Sequence, residues 1–331
     1  METPRRPARG VPSPGRRVRL LGAAAVALLL AGCGLRLETP EPDPLVPDEQ
    51  EILRADSAAD AAGLRDTATE AAAGAPPEVA AVLERVAEAS AAHHEAFGGT
   101  YVPFPDVTPP TPTLTPTTAP PPVTPDDVLS GLVEAASEAR ADAEAVPDGS
   151  IARLLASVSV SRSLLADELA TALGTVAGAT VVFVVPEAVP EGVTTQEVAV
   201  LVQSEDATGL AWEVTAARSV DAERELAAAR ATTHRDRAQQ WAEAAGIDGS
   251  GADPRRSSYT LPELLGDLQA PPEARLAALG EVEAALATSY MSLVAKAGPG
   301  ARGVLMDAVL DTLRVQISRG ARVPDFPALP A

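Results

Sequence analysis

Three histidines (His93, His94 and His234) and one cysteine (Cys33) are the residues of this 331-residue chain whose types suit acid–base, metal or thiol chemistry. A di-iron site in a four-helix bundle takes one glutamate from each of two helices and a Glu-x-x-His pair from each of the other two. That spacing stacks carboxylate and imidazole one turn apart on the inward face. Ser90, Ala91 and Ala231 stand three residues before the histidines, so the pair is missing each time. What remains is a looser carboxylate set, Glu205, Glu281 and Glu283 with His234, set against the ordinary reading of acids on an alanine-rich helix as a solvated face. No cofactor is expected. The sequence holds no glycine-rich phosphate loop, no nucleophile elbow and no His-Glu-x-x-His, so no enzymatic activity is expected either.

Helical spacing supports a narrower expectation for two histidines. His93 shares a stripe with Val82, Val86, Ala89 and Phe97, and His234 shares one with Ala227, Ala231, Ala238 and Trp241. A buried imidazole needs partners for both nitrogens. Asp60 and Asp206 fall on the preceding helix in each half of the chain. The expected arrangement is an inward pair in each half, Asp60 with His93 and Asp206 with His234. Its expected role is structural, fixing helix register. A pH-sensitive or ligand-facing site is the functional alternative.

Cys33 closes the run Leu30-Ala31-Gly32-Cys33, after six arginines and an apolar stretch from Leu20 to Ala31. A basic segment, a short apolar segment and small residues before a cut site make a secretory signal. Ending on a cysteine, this one resembles the lipobox of bacterial lipoproteins. The resemblance implies cleavage after residue 32, diacylglycerol on the Cys33 thiol, and a protein held at the extracytoplasmic face of the cell membrane. A free thiol in an uncleaved signal is the plainer alternative. Arg16-Arg17 before Leu20-Leu21 faintly resembles a twin-arginine export signal. The apolar run is too short to span a bilayer, which takes about 20 residues. A single cysteine allows no intramolecular disulfide and no thiolate zinc cluster.

Charge limits the partners. The chain carries 26 basic and 46 acidic residues, and without residues 1–32 these fall to 20 and 45, a net of −25. Nucleic-acid phosphates and anionic headgroups would repel such a surface. No nucleic acid is expected as a partner. The expected ones are the membrane, through acyl chains, and an envelope protein or small ligand that the sequence does not identify.

The elements that must position these residues are helices. Alanine dominates, and aromatic residues are only 3%. Residues 33–47, with Pro40, Pro42, Pro44 and Pro47, read as a disordered tether. Helices are predicted over Ile52–Ala73, from Pro77 to Gly98, from Thr124-Pro125-Asp126-Asp127 to Pro147, and from Ser150 to about residue 174. Between the second and third, residues 103–125 hold ten prolines and seven threonines. They read as a stiff exposed loop or a glycosylated stalk. A second set follows over Gln196–Arg218, Asp221–Ala245, from Pro272 to Gly298, and from Gly300 onwards. Amphipathic helices of this kind bury their stripes against one another, which predicts an all-α fold of two tandem four-helix bundles. The expected organisation is a signal over 1–32, lipidated Cys33 and tether over 33–47, a first bundle over 48–174, a connector over 175–193 and a second bundle over 194–331. Asp60-Ala61-Ala62-Gly63-Leu64 recurs as Asp206-Ala207-Thr208-Gly209-Leu210, which suggests duplication. Trp212, Trp241, Tyr259 and Tyr290 read as anchors of the second bundle.

Within residues 194–331, several short motifs occur together. They are Gln203-Ser204-Glu205-Asp206-Ala207, Thr232-Thr233-His234-Arg235, Tyr259-Thr260-Leu261-Pro262, Leu279-Gly280-Glu281-Val282-Glu283-Ala284-Ala285 and Phe326-Pro327-Ala328-Leu329-Pro330. This part of the chain resembles an actinobacterial ferritin-like domain of unknown function, found in many lipoproteins. The resemblance covers about 40% of the sequence. It implies a ferritin-like four-helix fold and no established reaction. A ferritin-like metal protein with a redox or storage role is the alternative to a non-catalytic binding or scaffolding module.

Overall fold

Local capping sets the helix starts. Thr124 and Asp127 form a reciprocal box: the Asp127 N–H donates to the Thr124 hydroxyl, and the Thr124 N–H donates to the Asp127 carboxylate. Thr194 and Glu197 repeat it. Each box satisfies backbone donors that a helix start leaves unpaired. Asp48 and Asp148 cap two further helices with their carboxylates. The structure, a computed structural model, describes residues 47–101, 122–177 and 183–329. Among these, all regular structure is helical: α1 (Glu49–Ala72), α2 (Pro77–Ala96), α3 (Pro125–Ala145), α4 (Gly149–Leu173), α5 (Thr195–Ala216), α6 (Asp221–Ala244), the single turn α7 (Glu263–Gly266), α8 (Pro272–Val294) and α9 (Gly303–Ile317). Cys33, the tether before residue 47 and most of the proline–threonine stretch lie outside the described residues.

Helices α1 to α4 form one bundle, and α5, α6, α8 and α9 the other. The apolar stripes are not buried only within their own bundle. Helix α4 also packs on α8 and α9, and a single apolar cluster runs from Leu83, Leu132 and Leu155 to Leu201, Tyr290 and Leu305. A smaller cluster around Trp212, Leu265 and Leu279 belongs to the second bundle alone. Gly174, at φ 70°, ends α4, and in the connector Phe183 and Val185 are buried.

Arg302 holds the junction between the bundles and is 1% exposed. Its guanidinium donates to the carbonyls of Ala143 (2.7 Å) and Val146 (2.6 Å) at the end of α3, and to that of Ala297 (2.9 Å) just after α8. A cation is thus placed at the negative ends of two helices, where it also satisfies carbonyls the helices leave free. Close backbone approach does the rest. A Cβ at Gly149 would fall on the Ala295 carbonyl oxygen. Ion pairs Arg140–Asp307 (2.7 Å) and Arg314–Asp167 (2.8 Å) span the same interface.

The C-terminal segment crosses back onto the first bundle. Ser161 and Ser157, one turn apart on α4, donate to the carbonyls of Pro324 (3.1 Å) and Pro327 (2.8 Å). His93 Nε2 on α2 donates to that of Asp325 (2.7 Å), and the Phe326 ring meets the imidazole edge-on at 5.3 Å. Val323 and Pro327 are buried. Ala328 turns the chain at φ 59°, a left-handed conformation disfavoured for a residue with a Cβ, so the docked contacts impose it.

Removing the junction cation leaves buried carbonyls without donors. Arg302→Ala is expected to lower unfolding stability by about 4 kcal/mol, and Gly149→Ala by roughly 2 kcal/mol through the backbone clash. Urea unfolding followed by circular dichroism measures both. A loss below about 1 kcal/mol for Arg302→Ala would remove this residue from its place at the junction.

Candidate functional site

Periodicity turns three ionisable side chains to one point in the second bundle. Glu205 shares the inward stripe of α5 with Val198, Leu201 and Trp212. Glu283 shares that of α8 with Leu279, Leu286 and Tyr290, and His234 lies on the inner face of α6. Their exposures are 0%, 1% and 0%. His234 Nδ1 lies 2.6 Å from Glu205 Oε2, and Nε2 lies 3.2 Å from Glu283 Oε1. The two large indoles complete the arrangement. Trp212 Nε1 donates to Glu283 Oε1 at 2.6 Å. Tyr290 donates to Glu205 Oε1, and Trp241 Nε1 donates to the Tyr290 oxygen at 3.0 Å. Arg230 stands 3.7 Å from Glu283 and bonds Asp311 at 3.0 Å, while Arg237 reaches Asp311 at 2.8 Å.

The electrostatics favour a charged His234, against the Arg230 guanidinium, whose Nη2 stands 3.1 Å from Nε2. Burial alone would push its pKa down, but the carboxylates of Glu283 and Glu205 outweigh this and raise it to about 9. Glu283 pays a burial penalty in the opposite sense and is nevertheless held below the usual carboxylate range by His234 and then Arg230. Burial, and next the charge of Glu205, push the Tyr290 phenol well up, so it stays a donor. The cluster is a cation held between two anions, each further bonded by an indole or a phenol.

Of the pairs expected from sequence, neither forms. Asp206 belongs to a different group: it accepts from Arg235 and from the Tyr259 hydroxyl (2.6 Å). Burial and Asp206 together push the Tyr259 phenol up to about 12. The reason is angular. Successive helical residues are turned by about 100°, so with Glu205 inward Asp206 points to the α6 flank and the 250s loop. In the first bundle, His93 gives its Nε2 proton to the Asp325 carbonyl rather than to Asp60. Asp60 is half-buried, its pKa raised by burial against the pull of Arg162. Burial holds His93 neutral, with a pKa lowered to about 4. His94 bonds the Ala58 carbonyl at 2.9 Å.

The looser carboxylate set is brought together only in part. Glu205, His234 and Glu283 meet, whereas Glu281 is exposed. The donor set does not suit a metal ion. Both imidazole nitrogens already face carboxylates at hydrogen-bond distance, and the positive charge an ion would supply comes from His234 and Arg230. Among the described residues, no group of three or more His, Cys, Asp or Glu has metal-holding geometry.

Two open spaces border the bundles. A cavity of about 530 Å³ is lined by Trp212, Leu276, Leu279, Val315 and Glu283, with Arg319 stacked 5.0 Å from the Trp212 ring. A wider cleft of about 940 Å³ lies between α2, α4 and α9, and its arginines are all paired: Arg85 with Glu168, Arg314 with Asp167 and Arg322 with Glu88. No helix among the described residues is long and apolar enough to cross a membrane.

A four-helix domain with an internally neutralised ionic core is the class these observations define. A family model described as a domain of unknown function (DUF4439) matches residues 197–331, which contain all of this cluster and the docked C-terminal segment. No curated protein and no solved structure matches the chain.

Because the folded pKa of His234 lies above its ordinary value, its contribution is complete below about pH 6.5 and is lost as pH rises through about 9. Stability is expected to fall by roughly 3 kcal/mol across that window. Urea midpoints measured from pH 6 to 10 check this. In His234→Gln the starting stability is lower by about 3 kcal/mol and the decline across this window disappears. An equal decline in both proteins would show that another group titrates.

Proposed function

We propose that the chain is a lipid-anchored protein of the cell envelope that acts as a non-catalytic binding or scaffolding module, its second bundle a ferritin-like fold without a metal centre. One observation carries the non-catalytic reading. The imidazole of His234 has both nitrogens engaged by Glu205 and Glu283, and all three side chains are buried, with Glu283 Oε2 alone lacking a partner. A general base needs a free lone pair within reach of a substrate proton, and an imidazolium between two carboxylates has none. The Cys33 motif and its preceding basic and apolar segments support the anchor. A mature net charge of −25 supports acyl chains, and not a basic patch, as what holds the protein to anionic lipid.

Two measurements test the two halves of this reading. Protein purified without chelator is expected to hold substoichiometric iron, manganese and copper by plasma mass spectrometry. One equivalent that vanishes in His234→Ala would instead make the second bundle a metal protein. In cells, Cys33→Ala is expected to move the protein from the membrane fraction to the soluble fraction, while wild type incorporates labelled fatty acid. A Cys33→Ala protein that stays membrane-bound would end the anchoring account and leave the core argument untouched.

A further inference from the structure

Residues 323–329 are covalently part of the second bundle's chain and spatially part of the first. Their carbonyls are met by three donors, Ser161, Ser157 and His93, each 0% exposed with the segment in place. The three donors are separated from their acceptors by 163, 170 and 232 residues. Phe326 fills the space beside the His93 ring, and Val323 joins the shared apolar cluster. Prolines at 324 and 327 have no N–H, so the segment offers carbonyls to donors and needs few acceptors in return. Buried serine and imidazole donors left empty would be costly, so the groove is built for an occupant of this kind.

Recognition is complete without the covalent link. Among the described residues, the side-chain hydrogen bonds made to residues 323–329 come from α2 and α4 of the first bundle. Between α9 and the docked part lie residues 318–322, of which Gly320, Ala321 and Arg322 are exposed, with Gly320 at φ 87°. Within this stretch Arg322 touches the first bundle through an exposed ion pair with Glu88 on α2 (2.8 Å), a contact that an identical segment from another molecule can make together with the other bonds, which is the condition for exchange of an element between copies.

We propose that the α2–α4 groove of the first bundle is a peptide-binding site for the extended segment Val323-Pro324-Asp325-Phe326-Pro327, filled in cis by the chain's own terminus and in trans by that of a second copy. The site takes a proline-interrupted peptide through its carbonyls and one aromatic ring. The proposal rests on the binding-module reading but not on the lipid anchor, so a Cys33→Ala protein that stayed on the membrane would leave it standing.

Complementation between two full-length variants tests it. One carries Phe326→Ala, which weakens its terminus and keeps its groove. The other carries Ser157→Ala with Ser161→Ala, which weakens its groove and keeps its terminus. Each alone is expected to be monomeric by light scattering. Mixed, they are expected to form a one-to-one complex that an excess of free peptide 321–331 dissolves. A mixture that stays monomeric while both proteins keep native helical circular dichroism overturns the proposal. A third protein guards against misfolding of the variants: the otherwise unaltered chain with a protease site inserted after Gly320 folds with its terminus in place. After cutting, fluorescein-labelled peptide 321–331 is expected to replace the resident segment, raising anisotropy to a plateau at one equivalent, whereas the same peptide carrying Phe326→Ala binds at least tenfold more weakly. No incorporation of the labelled peptide into the cut protein also overturns the proposal.

Discussion

Helices rich in alanine carry little apolar area per turn, and that shortage bears on how the molecule is held together. Burying apolar surface yields about 25 cal/mol per Å², so a stripe of alanines contributes far less than one of leucines. With aromatic residues at 3% of the chain, a bundle cannot be closed by bulk alone. The structure answers in two ways. It merges apolar surface from both bundles into one cluster through α4, α8 and α9. It also places its few large side chains, Trp212, Trp241 and Tyr290, where each fills space and supplies a proton to a buried acceptor.

Beside this shared apolar cluster the junction between the bundles also has a polar part, which fixes its geometry. Arg302 reaches three carbonyls at two helix ends, and Gly149 lets backbone meet backbone. Small residues permit the approach, and the guanidinium then satisfies the groups which that approach buries. The C-terminal segment is a second tie of the same kind, with serine hydroxyls and an imidazole in place of the arginine.

Sequence reading recovered what is local. Thr124-Pro125-Asp126-Asp127 announces a helix because its capping bonds lie within one turn, and α3 begins at Pro125. Proline after proline at 76–77 and 271–272 did the same for α2 and α8. The acidic partner of His234 was missed by one residue. The repeated Asp-Ala-x-Gly-Leu drew attention to Asp206, whereas the stripe of Val198, Leu201 and Trp212 points to Glu205. Glu205 and Glu283 are both visible as candidates, as loose metal ligands or as acids on a solvated face, but not as partners of a buried imidazole, because charge neutralisation among side chains depends on which helices become neighbours. Docking of Val323–Leu329 had no signal at all. An extended segment has no periodicity to read, and its three acceptors pair with donors more than 160 residues away.

The two buried histidines show how neighbours and not burial decide charge. Both are fully enclosed, at 0% exposure. Burial alone lowers the pKa of each. His93 faces a carbonyl, which does not offset that penalty, and the nearby Arg162 lowers it further, so it remains neutral at a pKa of about 4. His234 faces two carboxylates and is charged up to a pKa of about 9. A neutral imidazole can be vacated by its acceptor without stranding an ion, so the first bundle can hold an exchangeable segment. An imidazolium cannot be parted from Glu205 and Glu283 without leaving buried charges unpaired, which costs several kcal/mol. The charged core therefore ties the helices of the second bundle to one register, and the proposed exchange of the terminal segment asks no such separation of charge in the first.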